Sequence, residues 1–179
     1  NICIIGDGLT SLSLAKNLTN KKINVHIYHK KKTQNSQSTR TIGISSNNLE
    51  YLRSKICNFP QKEAWKIKQI EIYSEKFIKN KILSFKKDEN TLFYILKNNE
   101  IYCSIKKQLL KNKFFKKSII IEKNFYEKLL KKNKYDLIIN CDPNNYFSTK
   151  YFNKKIDKNY YSIAYTTILE HEKIKNYTA

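Results

Sequence analysis

The chain has 179 residues, enough for one domain with a sizeable core, and a formal net charge of +20. Its basic residues are 33 lysines and two arginines scattered along the sequence, which indicates A/T-rich nucleotide bias and argues against a nucleic-acid-binding protein. No apolar run approaches the ~20 residues of a membrane span, and no charged segment precedes the first apolar run, so we expect neither an anchor nor a signal peptide.

The first predicted elements surround two of the only three glycines. A short buried strand, Ile2–Ile5, is followed by Gly6 and Gly8 and then by apolar residues at helical spacing, which predict a helix over Leu9–Asn20. This geometry is typical of a dinucleotide diphosphate site, because N–H groups at the helix N-terminus point at the phosphates. Ser11 replaces the Gly or Ala that the G-x-G-x-x-G fingerprint has for close packing of helix on strand. A strand, turn and helix without a ligand is the alternative.

A second strand is predicted over Asn24–Tyr28, which completes a strand–turn–helix–strand unit. The fingerprint has an acidic residue at the end of this strand to bind a ribose hydroxyl, and this chain has His29 there. A neutral imidazole can accept or donate one such bond. Three lysines follow, Lys30–Lys32, and they indicate either a 2′-phosphate site for NADP or a solvated loop.

The next informative segment runs from Ser38 to Leu52 and contains the third glycine, Gly43, and one of the two arginines. Ser45 or Ser46 is predicted to cap a helix over Asn47–Lys55, with Arg40 upstream on a loop or short strand. Here the chain resembles the class A FAD-dependent monooxygenases, most closely the ubiquinone-biosynthesis aromatic hydroxylases related to para-hydroxybenzoate hydroxylase. The resemblance implies that Arg40 contacts the FAD phosphates. An arginine paired with a surface carboxylate is the alternative.

Two later segments extend the resemblance. Tyr94–Ile101 resembles a strand-then-helix entry whose polar residue reaches the flavin nucleotide, a role that it assigns to Asn98, although Asn98 could equally cap the helix. Tyr135–Asn145 resembles the strand that ends in the family's Asp-Gly motif, so Asp142 is the expected contact to FAD. Pro143 departs from the motif, because proline lacks an N–H and cannot take the glycine's conformation.

The resemblance also reaches the far end of the sequence but is incomplete. Tyr160–Thr178 resembles the first strand and His-Glu turn of the substrate domain, where His171 is expected to be a turn residue. The family's small β-meander has only Lys123–Lys134 in its place, and the second flavin motif, a Gly-Asp, has no counterpart after Gly6-Asp7. We therefore expect the chain to correspond to the N-terminal portion of the family's fold.

The predicted fold class is α/β. A doubly wound, mainly parallel Rossmann-like sheet is expected from Ile2–Ile5, Asn24–Tyr28, Ser118–Glu122 and Asp136–Cys141, covered by helices that include Asn99–Lys111. A second, mixed or antiparallel sheet is expected from Lys68–Tyr73, Lys81–Phe85, Thr91–Ile95 and Tyr160–Glu170. These sheets predict a discontinuous FAD-binding domain, 1–67 and 97–157, and a partial substrate domain, 68–96 and 158–179.

The resemblance implies an FAD-dependent monooxygenase that hydroxylates a polyprenylated phenol in ubiquinone biosynthesis, with NAD(P)H as reductant. The expected cofactor-binding residues are Gly6, Gly8, Leu9, Thr10, Ser11, His29, Arg40, Asn98 and Asp142. No catalytic acid or base can be named, and the widely spaced cysteines argue against a metal site. The expected location is cytoplasmic, peripheral to the inner membrane or within a quinone-biosynthesis complex. An NAD(P)-dependent oxidoreductase and a degenerate, non-catalytic flavoprotein-like domain are the alternatives.

Overall fold

A computed structural model describes residues 1–31, 40–58, 64–73, 81–86, 91–122, 124–152 and 158–163. The chain forms two compact units, one of Asn1–Ser36 with Tyr102–Thr166 and one of Gln37–Ile101 with Thr167–Ala179. The elements in chain order are β1 (Ile2–Ile5), α1 (Leu9–Asn20), β2 (Val25–His29), β3 (Thr41–Ser45), α2 (Ser46–Tyr51), a π-helical turn (Leu52–Ile56), β4 (Trp65–Ile67), β5 (Gln69–Tyr73), β6 (Lys81–Lys86), β7 (Phe93–Lys97), α3 (Asn98–Leu110), β8 (Phe115–Ile119), α4 (Phe125–Lys131), β9 (Leu137–Asn140) and α5 (Tyr146–Tyr151).

The first unit contains a four-stranded parallel sheet in the order β8-β2-β1-β9. Alternate side chains of β1 point to opposite faces. Cys3 and Ile5 pack against α4 and α5, whose buried residues are Tyr126, Leu129 and Phe147. Ile4, which stands between Cys3 and Ile5 in β1, is fully buried. Leu12 and Ala15 of α1 and Ile105 and Leu109 of α3 are fully buried as well. The predicted α/β class and parallel Rossmann-like sheet are therefore confirmed.

The edge strand β8 starts earlier than predicted. The sequence indicated a strand over Ser118–Glu122, because of the apolar run at residues 119–121, but β8 pairs with β2 from Phe115 to Ile119. A turn sets this register, in which the side chain of Asn112 accepts a hydrogen bond from the N–H of Phe114. Most of the apolar run lies past the end of β2, and Ile121 is 88% exposed.

The second unit contains two antiparallel sheets, one in the order β3-β7-β4 and one formed by the β5-β6 hairpin. The prediction of one sheet joining Lys68–Tyr73, Lys81–Phe85 and Thr91–Ile95 was wrong, because β7 pairs with β3 and β4 instead. Of the fourth predicted strand, Tyr160–Ile163 is not in a strand, and residues 164–170 lie outside the described residues, as does His171. The predicted helix Asn47–Lys55 is divided into α2 and the π-helical turn. The predicted division into cofactor and substrate domains stays a prediction.

None of the helices in the described part of the chain has the length and apolar character that a membrane span requires.

Gly6 in the β1-α1 turn and Ser11 in the first turn of α1 should respond differently to alanine. Gly6 has a φ of +117° and a tightly packed Cβ position, so Gly6→Ala should lower the free energy of unfolding by roughly 1–3 kcal/mol. The Oγ atom of Ser11 is buried and makes no hydrogen bond to any described residue. Ser11→Ala should therefore leave stability unchanged or raise it. Urea unfolding followed by circular dichroism measures both, and equal losses in the two variants would contradict this packing.

Candidate dinucleotide site

The turn between β1 and α1 contains two glycines with different structural roles. A Cβ added at Gly6 would lie 3.1 Å from the Oγ atom of Ser11 and 3.2 Å from the carbonyl carbon of Cys141, so this position is filled by the protein itself. At Gly8, apart from the glycine itself and its neighbours along the chain, no heavy atom of the described residues lies within 4 Å of the added Cβ. The space over Gly8 is open, as the close approach of a diphosphate to the main chain requires.

The N-terminus of α1 begins at this open position. No side chain caps the helix, and its first hydrogen bond runs from the N–H of Leu12 to the carbonyl of Gly8, at 3.0 Å. The N–H groups of Leu9, Thr10 and Ser11 therefore precede the hydrogen-bond ladder. Such donors, together with the helix dipole, favour an anion. The turn thus fits a dinucleotide diphosphate.

A buried carboxylate lies within the same turn. Asp7 is the residue between the two glycines, and its side chain is only 4% exposed. Its Oδ1 atom accepts a hydrogen bond of 2.8 Å from Lys117 of β8, and its Oδ2 atom accepts one of 2.8 Å from the hydroxyl of Tyr102 in α3. Burial, followed by the bond to Asp7, raises the pKa of Tyr102. The ammonium of Lys117 neutralises a negative charge that would otherwise repel a diphosphate.

His29 lies at the end of β2, as predicted. Its Nδ1 atom is 2.8 Å from the carbonyl oxygen of Lys30 and 4.0 Å from the Oδ2 atom of Asp7. Since a carbonyl only accepts, Nδ1 carries the proton in the neutral ring, and Nε2 is left as an acceptor. A ribose hydroxyl can donate to such a nitrogen, whereas a fully ionised phosphate cannot.

The lysines after His29 bear on the NADP alternative. The ammonium of Lys30 donates a hydrogen bond of 2.7 Å to the carbonyl of Asn144, in the loop between β9 and α5. One of the three ammonium donors of Lys30 is thus used within the protein, where it links the segment after β2 to the loop after β9. Lys31 is exposed, and Lys32 lies outside the described residues.

Asp142 lies in the loop after β9, next to the residue that contacts Gly6. Its Oδ1 atom accepts a hydrogen bond of 2.9 Å from the N–H of Asn144. A cavity of about 360 Å³ opens here, lined by Asp142, Pro143, Asn140, Cys141, Ser148 and Phe152. Within the first unit the structure therefore brings Gly6, Ser11, His29 and Asp142 to the carboxyl edge of one parallel sheet, where α/β proteins bind ligands.

Arg40 and Asn98 belong to the second unit. Arg40 directly precedes β3 and is exposed, and Asn98 is the first residue of α3, one residue earlier than the predicted helix. The N–H of Asn98 donates a hydrogen bond of 2.9 Å to the carbonyl of Arg40. The two residues are thus neighbours, and their contacts to FAD stay predictions.

Comparison with known proteins shows the fold. No protein-family model and no curated protein matches the sequence. Among solved structures, p-nitrophenol 4-monooxygenase PnpA from Pseudomonas putida DLL-E4 matches with a TM-score of 0.53 and 14% identity over 66% of this chain and 31% of its own. A mutant of PqsL from P. aeruginosa matches with a TM-score of 0.55 and 10% identity over 66% of this chain and 33% of its own. The 2-methyl-3-hydroxypyridine-5-carboxylic acid oxygenase matches with a TM-score of 0.52 and 12% identity over 66% of this chain and 30% of its own.

The chain shares the fold of part of each of these three proteins. It spans about a third of the length of each of these structures, and the likeness covers about two thirds of the chain. At such low identity the likeness shows the fold alone.

Sequence reasoning missed the residues that build the surroundings of the site. Lys117 is one of 33 lysines, and nothing in the sequence around it signals that it pairs with Asp7. The other partner, Tyr102, lies 95 residues away from Asp7 in the sequence. The loop after β9 did carry a signal. Asn145 stands three residues before Ser148, and its Oδ1 atom accepts a hydrogen bond of 3.0 Å from the N–H of Ser148, as a helix cap does. Its Nδ2 group donates to the side chain of Asn140 at 2.6 Å.

Removal of the cation beside Asp7 should destabilise the protein strongly. Lys117→Met removes the ion pair between Lys117 and the buried carboxylate of Asp7, which should lower the free energy of unfolding by about 3–5 kcal/mol. The double variant Asp7→Asn with Lys117→Met removes both charges and should recover at least half of that loss. Urea unfolding measures both, with Lys107→Met on the exposed face of α3 as the control. An equal loss in the single and double variants would contradict the ion-pair account.

Proposed function

We propose that this chain forms the FAD-binding part of a flavoprotein monooxygenase that hydroxylates an aromatic ring. The observation that carries the proposal is the open turn at Gly8, where an uncapped helix N-terminus meets the carboxyl edge of a parallel sheet. The fold of the chain supports it, because solved structures that share this fold include proteins described as a p-nitrophenol 4-monooxygenase and a pyridine-carboxylic acid oxygenase.

The residues of the first unit have distinct roles in this proposal. The N–H groups of Leu9, Thr10 and Ser11 hold the diphosphate, and the bare backbone of Gly8 lets it approach. Gly6 gives the turn its left-handed conformation. His29 accepts a hydrogen bond from a hydroxyl of the adenosine ribose through Nε2. Asp142 lines the cavity beside the turn and would contact the flavin nucleotide, as the family resemblance implies.

The second unit contributes by resemblance. Arg40 would contact the FAD phosphates, and Asn98, hydrogen-bonded to the carbonyl of Arg40, would reach the flavin nucleotide. Both belong to the segment in which β3 pairs with β7 before α3 begins. The pairing fixes the backbone of Arg40 against the start of the helix.

Bound FAD, reduced by NAD(P)H, supplies the activation of dioxygen and the hydroxylation of the ring. The side chains of this chain bind and orient the cofactor, and none of them is assigned as an acid or base. A polyprenylated phenol of ubiquinone biosynthesis is the proposed substrate. Such an apolar substrate would place the protein at a membrane surface or in a quinone-biosynthesis complex.

Substitution of Gly8 should separate binding from stability. Gly8→Ser adds a side chain that caps α1, so it should leave the free energy of unfolding unchanged or raise it slightly. The same hydroxyl occupies the N–H groups and the space that the diphosphate needs, so FAD affinity should fall about tenfold or more. Quenching of flavin fluorescence on titration measures the affinity. Asn20→Ser, at the far end of the same helix, should change neither quantity.

The same titration distinguishes the alternatives. Tighter binding of NADP than of FAD, lost in Lys30→Ala, would favour an NAD(P)-dependent oxidoreductase. If the protein binds neither nucleotide, that result would favour the degenerate, non-catalytic domain and would overturn the proposal. Ser11, His29 and Pro143 are the departures from the family pattern that such a result would implicate.

A further inference from the structure

A second cavity, of about 380 Å³, opens at the amino edge of the parallel sheet. Its walls come from the segments that lead into β2, β8 and β9, at the opposite strand ends from the glycine turn. Its size lies within the range of small-molecule sites. The residues on which the inference rests are Lys113, Lys116, Lys134, His26, Phe114 and Tyr135.

The cavity is cationic. Lys113, Lys116 and Lys134 line it, and its lining contains no acidic residue in the part of the chain that the structure describes. Within the described residues none of the three forms an ion pair, unlike Lys117, which neutralises Asp7. Lys113 and Lys134 instead lie over the rings of the residues that follow them, 5.2 and 5.6 Å from the ring centroids. Three ammonium groups around one concave surface repel one another, and a bound anion would relieve that repulsion.

The floor of the cavity is a fixed polar and aromatic surface. The Nε2 atom of His26 is 2.8 Å from the hydroxyl of Ser118, and its Nδ1 atom is 2.8 Å from the hydroxyl of Tyr135. The hydroxyl of Tyr135 also bonds to that of Tyr28, at 2.9 Å, and the ring of Tyr28 stacks on His26 with centroids 4.0 Å apart. Each hydroxyl can donate or accept, so the network accommodates His26 either neutral or protonated.

The field of the lysines reaches this floor. Burial, followed by the charges of Lys134 and Lys116, lowers the pKa of His26 to about 4. An anion held between these ammonium groups would offset their charge at the imidazole. The pKa of His26 should therefore rise when an anion binds in the cavity.

We propose that this cavity binds a small phosphate monoester, its phosphate between Lys116, Lys134 and Lys113 and its apolar part against the rings of Phe114 and Tyr135. A lysine ammonium is a compact point charge suited to phosphate. The apolar lining favours an ester over inorganic phosphate. The proposal is independent of the FAD site, which lies at the other edge of the sheet.

The test uses phenyl phosphate as the probe and the imidazole signals of His26 in the NMR spectrum as the readout. The expected result is a saturable shift of His26 and a rise of its pKa, with weaker binding of inorganic phosphate. The double variant Lys116→Gln with Lys134→Gln should weaken binding more than tenfold, because hydrogen bonds to charged groups are lost. Lys107→Gln with Lys131→Gln removes the same charge from exposed positions of α3 and α4 and should leave binding unchanged.

Three results would overturn the proposal. A shift that rises linearly with ionic strength, or that sodium chloride reproduces, would show general screening. A saturable shift of His29 without one of His26 would place the phosphate at the glycine turn. Equal affinity in both double variants would show that the lining lysines are not the ligands. Phenol, which lacks the phosphate, should leave the pKa of His26 unchanged.

Discussion

The glycine turn depends on the neutralisation of one buried charge. Asp7 stands between Gly6 and Gly8, where a bound diphosphate would place further negative charge beside it. The ammonium of Lys117, at 2.8 Å, cancels that charge, and the hydroxyl of Tyr102 holds the second carboxylate oxygen. Because these partners come from β8 and α3, the ion pair also ties the turn to the edge strand and to a helix. A buried pair of this kind adds little net stability, but removal of one partner is costly.

The loop after β9 differs in sequence from the Asp-Gly motif that it resembles. At the position after Asp142, where the Asp-Gly motif has a glycine, this chain has Pro143, which has no N–H and a fixed φ. The loop is instead stabilised by side chains: Asn145 caps α5 and bonds to Asn140, and the hydroxyl of Ser148 donates to the carbonyl of Asp142 at 2.8 Å. This network fixes the backbone of Asp142 without a glycine, and the loop still packs its carbonyl group at Cys141 against Gly6.

The parts of the fold that could be predicted are those governed by local pattern. The helix Leu9–Asn20 has the predicted bounds, because a glycine turn begins it and its buried residues recur at helical spacing. The pairing of β7 with β3 and β4 could not be predicted, since it depends on contacts between residues 26 to 56 positions apart in the sequence. The same limit holds at the site. Gly6, Gly8 and His29 follow from position in a motif, whereas Lys117 and Tyr102 are placed only by tertiary structure.

The central claim is that the N-terminus of α1, opened by Gly8, binds the diphosphate of FAD. Titration of the ¹⁵N-labelled protein with FAD, followed through its backbone amide signals, tests this claim most directly. The account predicts that the largest shifts occur at Gly8, Leu9, Thr10 and Ser11, with smaller ones at His29. Saturation with FAD that leaves these amides unshifted while others move would contradict it.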